Sequence, residues 1–314
     1  MSATLQAQFA AAGDRLQRQR DLWTAAQEGR AEDVRAILTT HGPFPVYTAL
    51  VVAARNDHPD AVRALPVSAS GLPDVSHLAI AMQTAAKHGS VSVMQLALTF
   101  PASQTYFRCI LREAANHDQP DMVRLLASTP GSVDHGTRVL RRILAASDGP
   151  SADVVGELVA AKADMNAPGE KQDALHLCLS GSGRADVVRV LLEAKASANA
   201  HSGRCGETPL CQAARNEHAD VSIPVLLDFN ADVNMASLQD GLTPTILAIC
   251  AWPPKLAPLR LLVSAKADVN HADYQGLTPV QWAARRDDIG TMRILIEAKA
   301  NVDPAIAAAR AAPL

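Results

Sequence analysis

Ten histidines and five cysteines are the side chains of this 314-residue chain that could bind a metal ion or act as nucleophiles. A zinc site needs ligands paired a few residues apart, and neither residue type forms such pairs along the sequence. The two nearest cysteines, Cys205 and Cys211, have five residues between them. We therefore predict no metal site and no cofactor. Four of the histidines recur at one place in a repeated pattern, which indicates a structural role: His58, His88, His117 and His218.

Motifs for nucleotide binding or acyl transfer are also missing from the sequence. It has no G-x-S-x-G nucleophile turn, no Walker-type loop and no G-x-G-x-x-G run. The run Ser180-Gly181-Ser182-Gly183 resembles a phosphate loop only in its glycines, because it falls between two helices and no Lys-Ser or Lys-Thr pair follows it. Aspartates such as Asp220 and Asp268 recur at equivalent places, where they suit helix caps and turns. The chain is therefore predicted to have no catalytic residues and not to be an enzyme.

The elements that position these residues are short helices in a repeating pattern. When each repeat is aligned on a pair of small residues in its first helix, the steps are 28 to 35 residues. A second helix with an aliphatic pair, such as Leu191-Leu192, follows. A period of this length is typical of a stacked array, in which no repeat buries its apolar face alone. We therefore predict an all-α solenoid of about nine helix-turn-helix repeats. The aligned positions are Ala25, Ala53, Ala85, Ala114, Ala145, Cys178, Ala213, Ala248 and Ala283.

The starts of the helices can be read from their capping residues. A Thr hydroxyl caps a helix, and the Pro that follows tolerates the first helical position because its missing N–H has no partner there. Such Thr-Pro pairs begin the first helices at Thr208, Thr243 and Thr278, and Asp173 and Thr48 stand in the same place in two other repeats. The turn-rich segments before the Thr-Pro pairs are predicted to project as short β-hairpin fingers.

Three runs carry a family resemblance. Thr208–Ala213 reads T-P-L-C-Q-A and Thr278–Ala283 reads T-P-V-Q-W-A, while Leu191–Asn199 joins a leucine pair to a terminal asparagine. These runs resemble the T-P-L-H-x-A and helix-end motifs of the ankyrin repeat family. The resemblance implies one continuous array with regular repeats at residues 151–303. It further implies divergent repeats at 21–150, an N-terminal capping segment at 1–20 and a C-terminal cap at 304–314.

The sequence departs from the family pattern in two ways. The family's histidine is present only as His176, so the hydrogen bonds that it makes between repeats are expected to be missing elsewhere. The family's helix-ending glycine takes a left-handed conformation that penalises any residue with a Cβ. In this sequence lysine or asparagine stands there, at Lys162, Lys195, Asn230, Lys266 and Lys299.

Composition limits the partners and the compartment. The formal net charge is -3 and the pI is about 6.4, which does not favour nucleic acid as the main partner. No apolar stretch is long enough to cross a membrane, so membrane insertion is not expected. The odd number of cysteines without paired spacing favours reduced thiols and a cytoplasmic protein. We expect the chain to be monomeric by itself.

The resemblance implies that a protein partner meets the finger tips and the inner face of the first helices. Residues after each small pair vary in chemistry while the framework around them does not, as a binding surface requires. Arg and Tyr dominate interface energetics and receive the greater weight. Trp282 is assigned to packing. The predicted protein-binding residues are Arg55, Lys87, Arg204, Arg215, Asn216, Tyr274, Gln275, Arg285 and Arg286.

Three functions fit these observations. The leading hypothesis is a non-catalytic scaffold or adaptor that binds a protein partner through its concave face and finger tips. The alternative is a substrate-targeting subunit of an enzyme complex, such as a ligase or phosphatase assembly. A third hypothesis makes the chain a substrate, because Asn234 and Asn270 resemble asparagines that hydroxylases modify in ankyrin proteins.

Overall fold

The computed structural model describes residues 3–41, 46–65, 75–129, 133–146, 149–164, 173–203, 205–251 and 256–302. Within these ranges the chain is mostly helical, and it divides into two compact units at residues 1–135 and 136–314. No helix of these ranges combines the length and the apolar character that crossing a bilayer demands. The predicted cap at 304–314 and Arg204 lie outside the described residues.

The first unit contains four helix pairs arranged in two layers. The first helices α1, α3, α5 and α7 contact one another in series, and the second helices α2, α4, α6 and α8 do the same. A 3₁₀ helix at Pro101–Tyr106 precedes α7. The helices are α1 (Ala3–Gln27), α2 (Ala31–His41), α3 (Tyr47–Arg55), α4 (Pro59–Ala64), α5 (Val75–His88), α6 (Val91–Leu98), α7 (Phe107–Asn116) and α8 (Pro120–Ala127).

The second unit repeats the same layering with shorter first helices. It holds most of α9 (Val133–Leu144), followed by α10 (Ala152–Ala160), α11 (Ala174–Ser180), α12 (Ala185–Glu193), α13 (Pro209–Arg215), α14 (Ala219–Asp228), α15 (Pro244–Cys250), α16 (Leu256–Ser264), α17 (Pro279–Arg285) and α18 (Ile289–Glu297). First helices α11, α13, α15 and α17 contact one another in series, and second helices α10, α12, α14, α16 and α18 form the other layer. This arrangement confirms an all-α repeat architecture.

Small residues allow the first helices to pack closely. The predicted small pairs of the first unit are at most 2% exposed, and Ala213 and Ala214 in the second unit are fully buried. A side chain larger than alanine at these positions would force neighbouring helices apart, because protein interiors are close-packed. The pairs of the first unit are Ala25-Ala26, Ala53-Ala54, Ala85-Ala86 and Ala114-Ala115.

The predicted caps hold in the second unit and fail once in the first. The Thr208 and Thr243 hydroxyls accept the backbone N–H groups of Cys211 and Ile246, at 3.2 and 3.3 Å. The prediction for Thr48 was wrong, because α3 already begins at Tyr47 and Thr48 is its second residue. No proline follows Thr48, so the sequence alone did not fix which residue precedes the first turn of α3.

The ends of the second helices confirm the predicted left-handed conformation. Lys162, Lys195, Asn230, Lys266 and Lys299 have φ angles between 59 and 68°. At Lys195 the backbone N–H donates to the Leu192 carbonyl at 3.0 Å, and the Ala196 N–H donates to the Leu191 carbonyl at 2.9 Å. This pair of hydrogen bonds is the Schellman arrangement, which satisfies carbonyls that a helix end leaves free.

Regular strands are not found in the described ranges, where one isolated antiparallel bridge joins Ser202 to Glu207. The fingers before α13, α15 and α17 are therefore compact turns with few ladder hydrogen bonds. The β-hairpin fingers and the count of nine repeats remain predictions.

Candidate protein-binding surface

Three successive turns of the second unit form fingers ahead of α13, α15 and α17. In the first finger, Ser202 and Glu207 exchange both backbone hydrogen bonds, at 2.9 and 3.0 Å. In the next two, the Ser237 N–H donates to the Leu242 carbonyl and the Asp273 N–H to the Leu277 carbonyl, each at 3.0 Å. Because these bonds close each turn on itself, the side chains at the tips are held in defined places.

Neighbouring fingers contact each other through a large side chain that lies on a glycine. The Leu238 N–H donates to the Gly206 carbonyl at 3.1 Å, and a Cβ built on Gly206 would lie 2.8 Å from the Leu238 Cβ. One finger later, a Cβ on Gly241 would lie 2.5 Å from the Tyr274 Cδ1. Both glycines have positive φ, 59 and 68°, so the backbone and the space each require glycine. Leu238 and Tyr274 are nonetheless 61% and 70% exposed.

Asp273 fixes the third finger to the indole of Trp282. Its Oδ1 accepts the backbone N–H groups of Gln275 and Leu277, both at 2.9 Å, and its Oδ2 accepts the Trp282 Nε1–H at 2.9 Å. Trp282 also packs against the core cluster that includes Val280. The prediction of packing for Trp282 is therefore confirmed, although the indole is only partly buried and its orientation is set by a hydrogen bond.

Two predicted arginines lie at the end of α17. Arg285 is exposed, and its guanidinium carbon lies 6.0 Å from the centre of the Trp282 ring, within the range of a cation–π contact. The exposed Arg286 donates to the Ala251 carbonyl at 3.4 Å, across to the preceding repeat. Neither guanidinium has a carboxylate oxygen within 4.0 Å among the residues that the structure describes.

Two other predicted residues hold the framework together. The Arg215 Nη1 lies 3.1 Å from the Glu207 Oε1, and the Glu207 side chain is only 10% exposed. The Asn216 Nδ2 donates to the Leu179 carbonyl and so caps the helix of the preceding repeat. Both residues therefore have structural partners that the sequence pattern did not reveal.

Arg55 and Lys87 lie in the first unit and form a separate basic cluster. Both are exposed, at the ends of α3 and α5. The Ser90 hydroxyl donates to the Arg55 carbonyl at 3.1 Å, which brings the turn after α5 against the end of α3. Burial, and then the charges of Arg55, Lys87 and His117, lower the pKa of His88. The cationic form of His88 is thus disfavoured by its positive neighbours.

Polar side chains also join one repeat of the second unit to the next. His176 is buried, with Nδ1 2.8 Å from the Asp173 Oδ1 and Nε2 2.9 Å from the Glu207 carbonyl. In the following repeat, Cys211 takes the place of the histidine and its Sγ lies 3.7 Å from the Leu242 carbonyl. A thiol is a weak donor, so the bond between repeats is weakened there and not lost as the sequence suggested.

The two asparagines proposed as modification targets have structural roles. The Asn234 Oδ1 accepts the backbone N–H of Asp268, and the Asn270 Oδ1 accepts that of Asn301, both at 2.7 Å. Both residues are exposed. These bonds link consecutive turns of the stack.

Cysteines and acidic groups do not gather into a site in the described part of the chain. No group of three or more histidine, cysteine, aspartate or glutamate side chains there could hold a metal ion. Burial raises the pKa of Cys178 to about 12, and the charge of Asp186 adds to this effect. Thiolate chemistry at neutral pH is therefore disfavoured at Cys178.

Sequence reasoning missed Leu238 as part of the exposed surface and identified Tyr274. Gln275 is exposed as predicted. Leu238 and Tyr274 each lie on the glycine of the preceding finger, so their equivalence could have been found by aligning the fingers on Gly206 and Gly241.

A family model described as ankyrin repeats matches the chain in three copies, including matches over residues 143–236 and 175–273. Both ranges fall within the second unit, where the fingers, the Thr-Pro caps and the asparagine bonds occur.

Proposed function

Residues 143–273 belong to the ankyrin repeat family, and from this premise we propose that the chain is a non-catalytic scaffold or adaptor that binds a protein partner. Ankyrin repeats are generally protein–protein interaction modules and are typically not enzymes. The binding surface comprises the finger tips and the adjoining first helices of the second unit. Arg55 and Lys87 of the first unit are proposed as further contacts.

The observation that carries this proposal is a row of exposed side chains on a fixed backbone. Leu238 and Tyr274 are 61% and 70% exposed, yet their backbones are hydrogen-bonded to the preceding finger. A partner that covers them would gain apolar contact without first ordering a loop, and this lowers the entropic cost of association. Tyr, Trp and Arg are also the residues that most often dominate interface energies.

The proposal extends to the remaining architecture. We propose about nine repeats in one array, with hairpin-like fingers in its C-terminal half, and a monomeric state. A cytoplasmic location is supported by the five cysteines, which are all free thiols in the structure.

Affinity purification from the native cell tests the proposal. The bait would be the full chain, compared with an R285A/R286A variant and with a matched R260A/R293A variant. Arg260 and Arg293 are exposed on second helices, so the control removes the same charge from the opposite layer.

We expect one or more proteins to be retained by the natural chain and the control, and to be depleted with R285A/R286A. Circular dichroism should show equal helical content for all three. Equal retention by both double variants would contradict the assignment of the surface to the α17 end. Failure of any protein to be retained would contradict the scaffold function itself.

A further inference from the structure

Four side chains of the second unit lie on two consecutive fingers and on the helix α17 that follows them; three are exposed and Trp282 is partly buried. We call them the finger patch: Leu238, Tyr274, Trp282 and Arg285. Tyr274 lies on Gly241 of the finger that carries Leu238, and its neighbour Asp273 holds the Trp282 indole. Arg285 lies over the same indole. Contacts thus join Tyr274 to the finger that carries Leu238, join the Tyr274 finger to Trp282, and join Trp282 to Arg285.

The spacing of the patch favours an extended chain as its partner. Leu238 and Tyr274 lie on consecutive fingers, one before α15 and the other before α17, and these two helices are in contact. Packed helices are about 8–10 Å apart. An extended segment in the polyproline II conformation has about three residues per turn and rises about 3.1 Å per residue, so side chains three positions apart point the same way about 9 Å from each other. Two apolar side chains three positions apart in an extended segment would therefore meet Leu238 and Tyr274 together.

The charge of the patch favours a carboxylate in that segment. The Arg285 guanidinium has no carboxylate oxygen within 4.0 Å in the described ranges, and Arg286 beside it donates to the Ala251 carbonyl. The next two residues along the chain are the exposed Asp287 and then Asp288, whose two oxygens accept from the Thr291 N–H and hydroxyl at 3.0 and 2.6 Å. Asp273 is also occupied by its own finger and by Trp282. The cation of Arg285 is thus available to an acidic group of a partner.

Resting on the proposed function, we propose that the finger patch binds an extended, acidic segment of a partner protein. In this segment two large apolar side chains stand three residues apart and cover Leu238 and Tyr274. A carboxylate next to the second of them pairs with Arg285 above the Trp282 ring. A planar guanidinium held against an aromatic face suits such a pair, because its donors are already oriented.

Selection from a phage-displayed library of random linear peptides on the full-length chain tests this inference. We expect enriched peptides to share two apolar residues three positions apart and an adjacent Asp or Glu. Selected peptides should bind R285E about tenfold more weakly, because an attractive contact becomes a repulsive one. The matched R293E variant has the same net charge, with the change on α18, and should bind as the natural chain does.

A repeated selection on R285E supplies a second readout. Enrichment should shift from acidic to basic residues at the position beside the second apolar residue. Any one of three results would overturn the inference: a library that enriches no peptide, acidic peptides that bind R285E and R293E equally well, or enriched peptides that lack the three-residue spacing. Any of these would leave the scaffold function intact, since a folded partner could still be retained in the affinity purification.

Discussion

Replacing Lys266 by glycine should stabilise the protein. Lys266 follows α16 with a φ of 64°, in the left-handed region that a Cβ disfavours. Its N–H donates to the Val263 carbonyl and the Ala267 N–H to the Leu262 carbonyl, both at 3.0 Å. The surrounding hydrogen bonds therefore hold the residue in this conformation whatever its side chain. Glycine would keep the bonds and remove the steric penalty.

The expected gain is the difference between two effects. A residue with a Cβ in the left-handed conformation costs about 1–2 kcal/mol relative to glycine. Glycine loses more freedom on folding, which offsets about 0.4–1 kcal/mol of that gain. The free energy of unfolding should therefore rise by a few tenths up to about 1 kcal/mol. Changing all four lysines, at 162, 195, 266 and 299, should raise it by about 1–3 kcal/mol, because distant sites add.

Urea unfolding followed by circular dichroism measures the effect. Two controls separate the backbone from the side chain. Lys266→Ala removes the charge but keeps the Cβ, so it should gain nothing over the natural chain. Arg260→Gly places glycine at an exposed position in the middle of α16 and should lower the free energy of unfolding by about 1 kcal/mol. A midpoint for Lys266→Gly that falls, or that equals the midpoint of Lys266→Ala, would refute the argument from φ.

Three further outcomes follow from the second unit and from Cys109. In a timed reaction with a thiol reagent, the exposed Cys109 should react at once and Cys178 only after denaturant is added. The reason is that Cys178 is buried and its pKa is raised. Rapid modification of Cys178 in the folded protein would contradict its burial. Burial opposes ionisation of Asp173, but hydrogen bonds and charge from His176 outweigh it and lower the Asp173 pKa. The Asp173 carboxylate therefore stabilises the fold above about pH 4, and this stabilisation is lost as the pH falls through the lowered pKa. Asp173→Asn should cost about 1 kcal/mol in urea melts at pH 7 and less at pH 3, and an equal cost at both would show that the charge is unimportant. In the same melts, Arg215→Ala should lower the free energy of unfolding by about 1 kcal/mol, because it leaves the carboxylate of Glu207 without its cation. Arg285→Ala should change this free energy by no more than about 0.5 kcal/mol. Equal values for the two variants would show that the ion pair does not stabilise the fold.

The sequence predicted the starts of helices best where neighbouring residues allow only one capping position. Thr208 and Thr243 are followed by proline, which fixes both the cap and the first helical position, and the structure confirms both caps. Thr48 has no proline after it, and α3 begins at Tyr47, two residues earlier than a cap at Thr48 would place its start. The left-handed lysines were also predictable, because an apolar helix that ends at a fixed place must satisfy its last carbonyls.

Contacts between repeats could not be predicted from single repeats. Asn216 has the type of a binding residue, but its side-chain amide donates to the Leu179 carbonyl of the preceding repeat. Cys211 stands where the histidine is expected and still reaches the Leu242 carbonyl of the next repeat. Such partners are about one repeat away in sequence, so they emerge from the stacking and not from the local pattern.

The difference between side chains that have partners within the fold and side chains that face outward bears on function. A side chain that the fold needs finds its partner in a neighbouring repeat, as Asn216 and His176 do within the second unit. Leu238 and Tyr274 have their backbones and inner sides held by the preceding finger, while most of each side chain faces outward. The contact with glycine uses one side of the Leu238 side chain and one edge of the Tyr274 ring, which leaves the opposite side of each group facing outward. The outer part of each side chain is therefore available to a partner, and exchanging it for a smaller polar group should change binding more than folding.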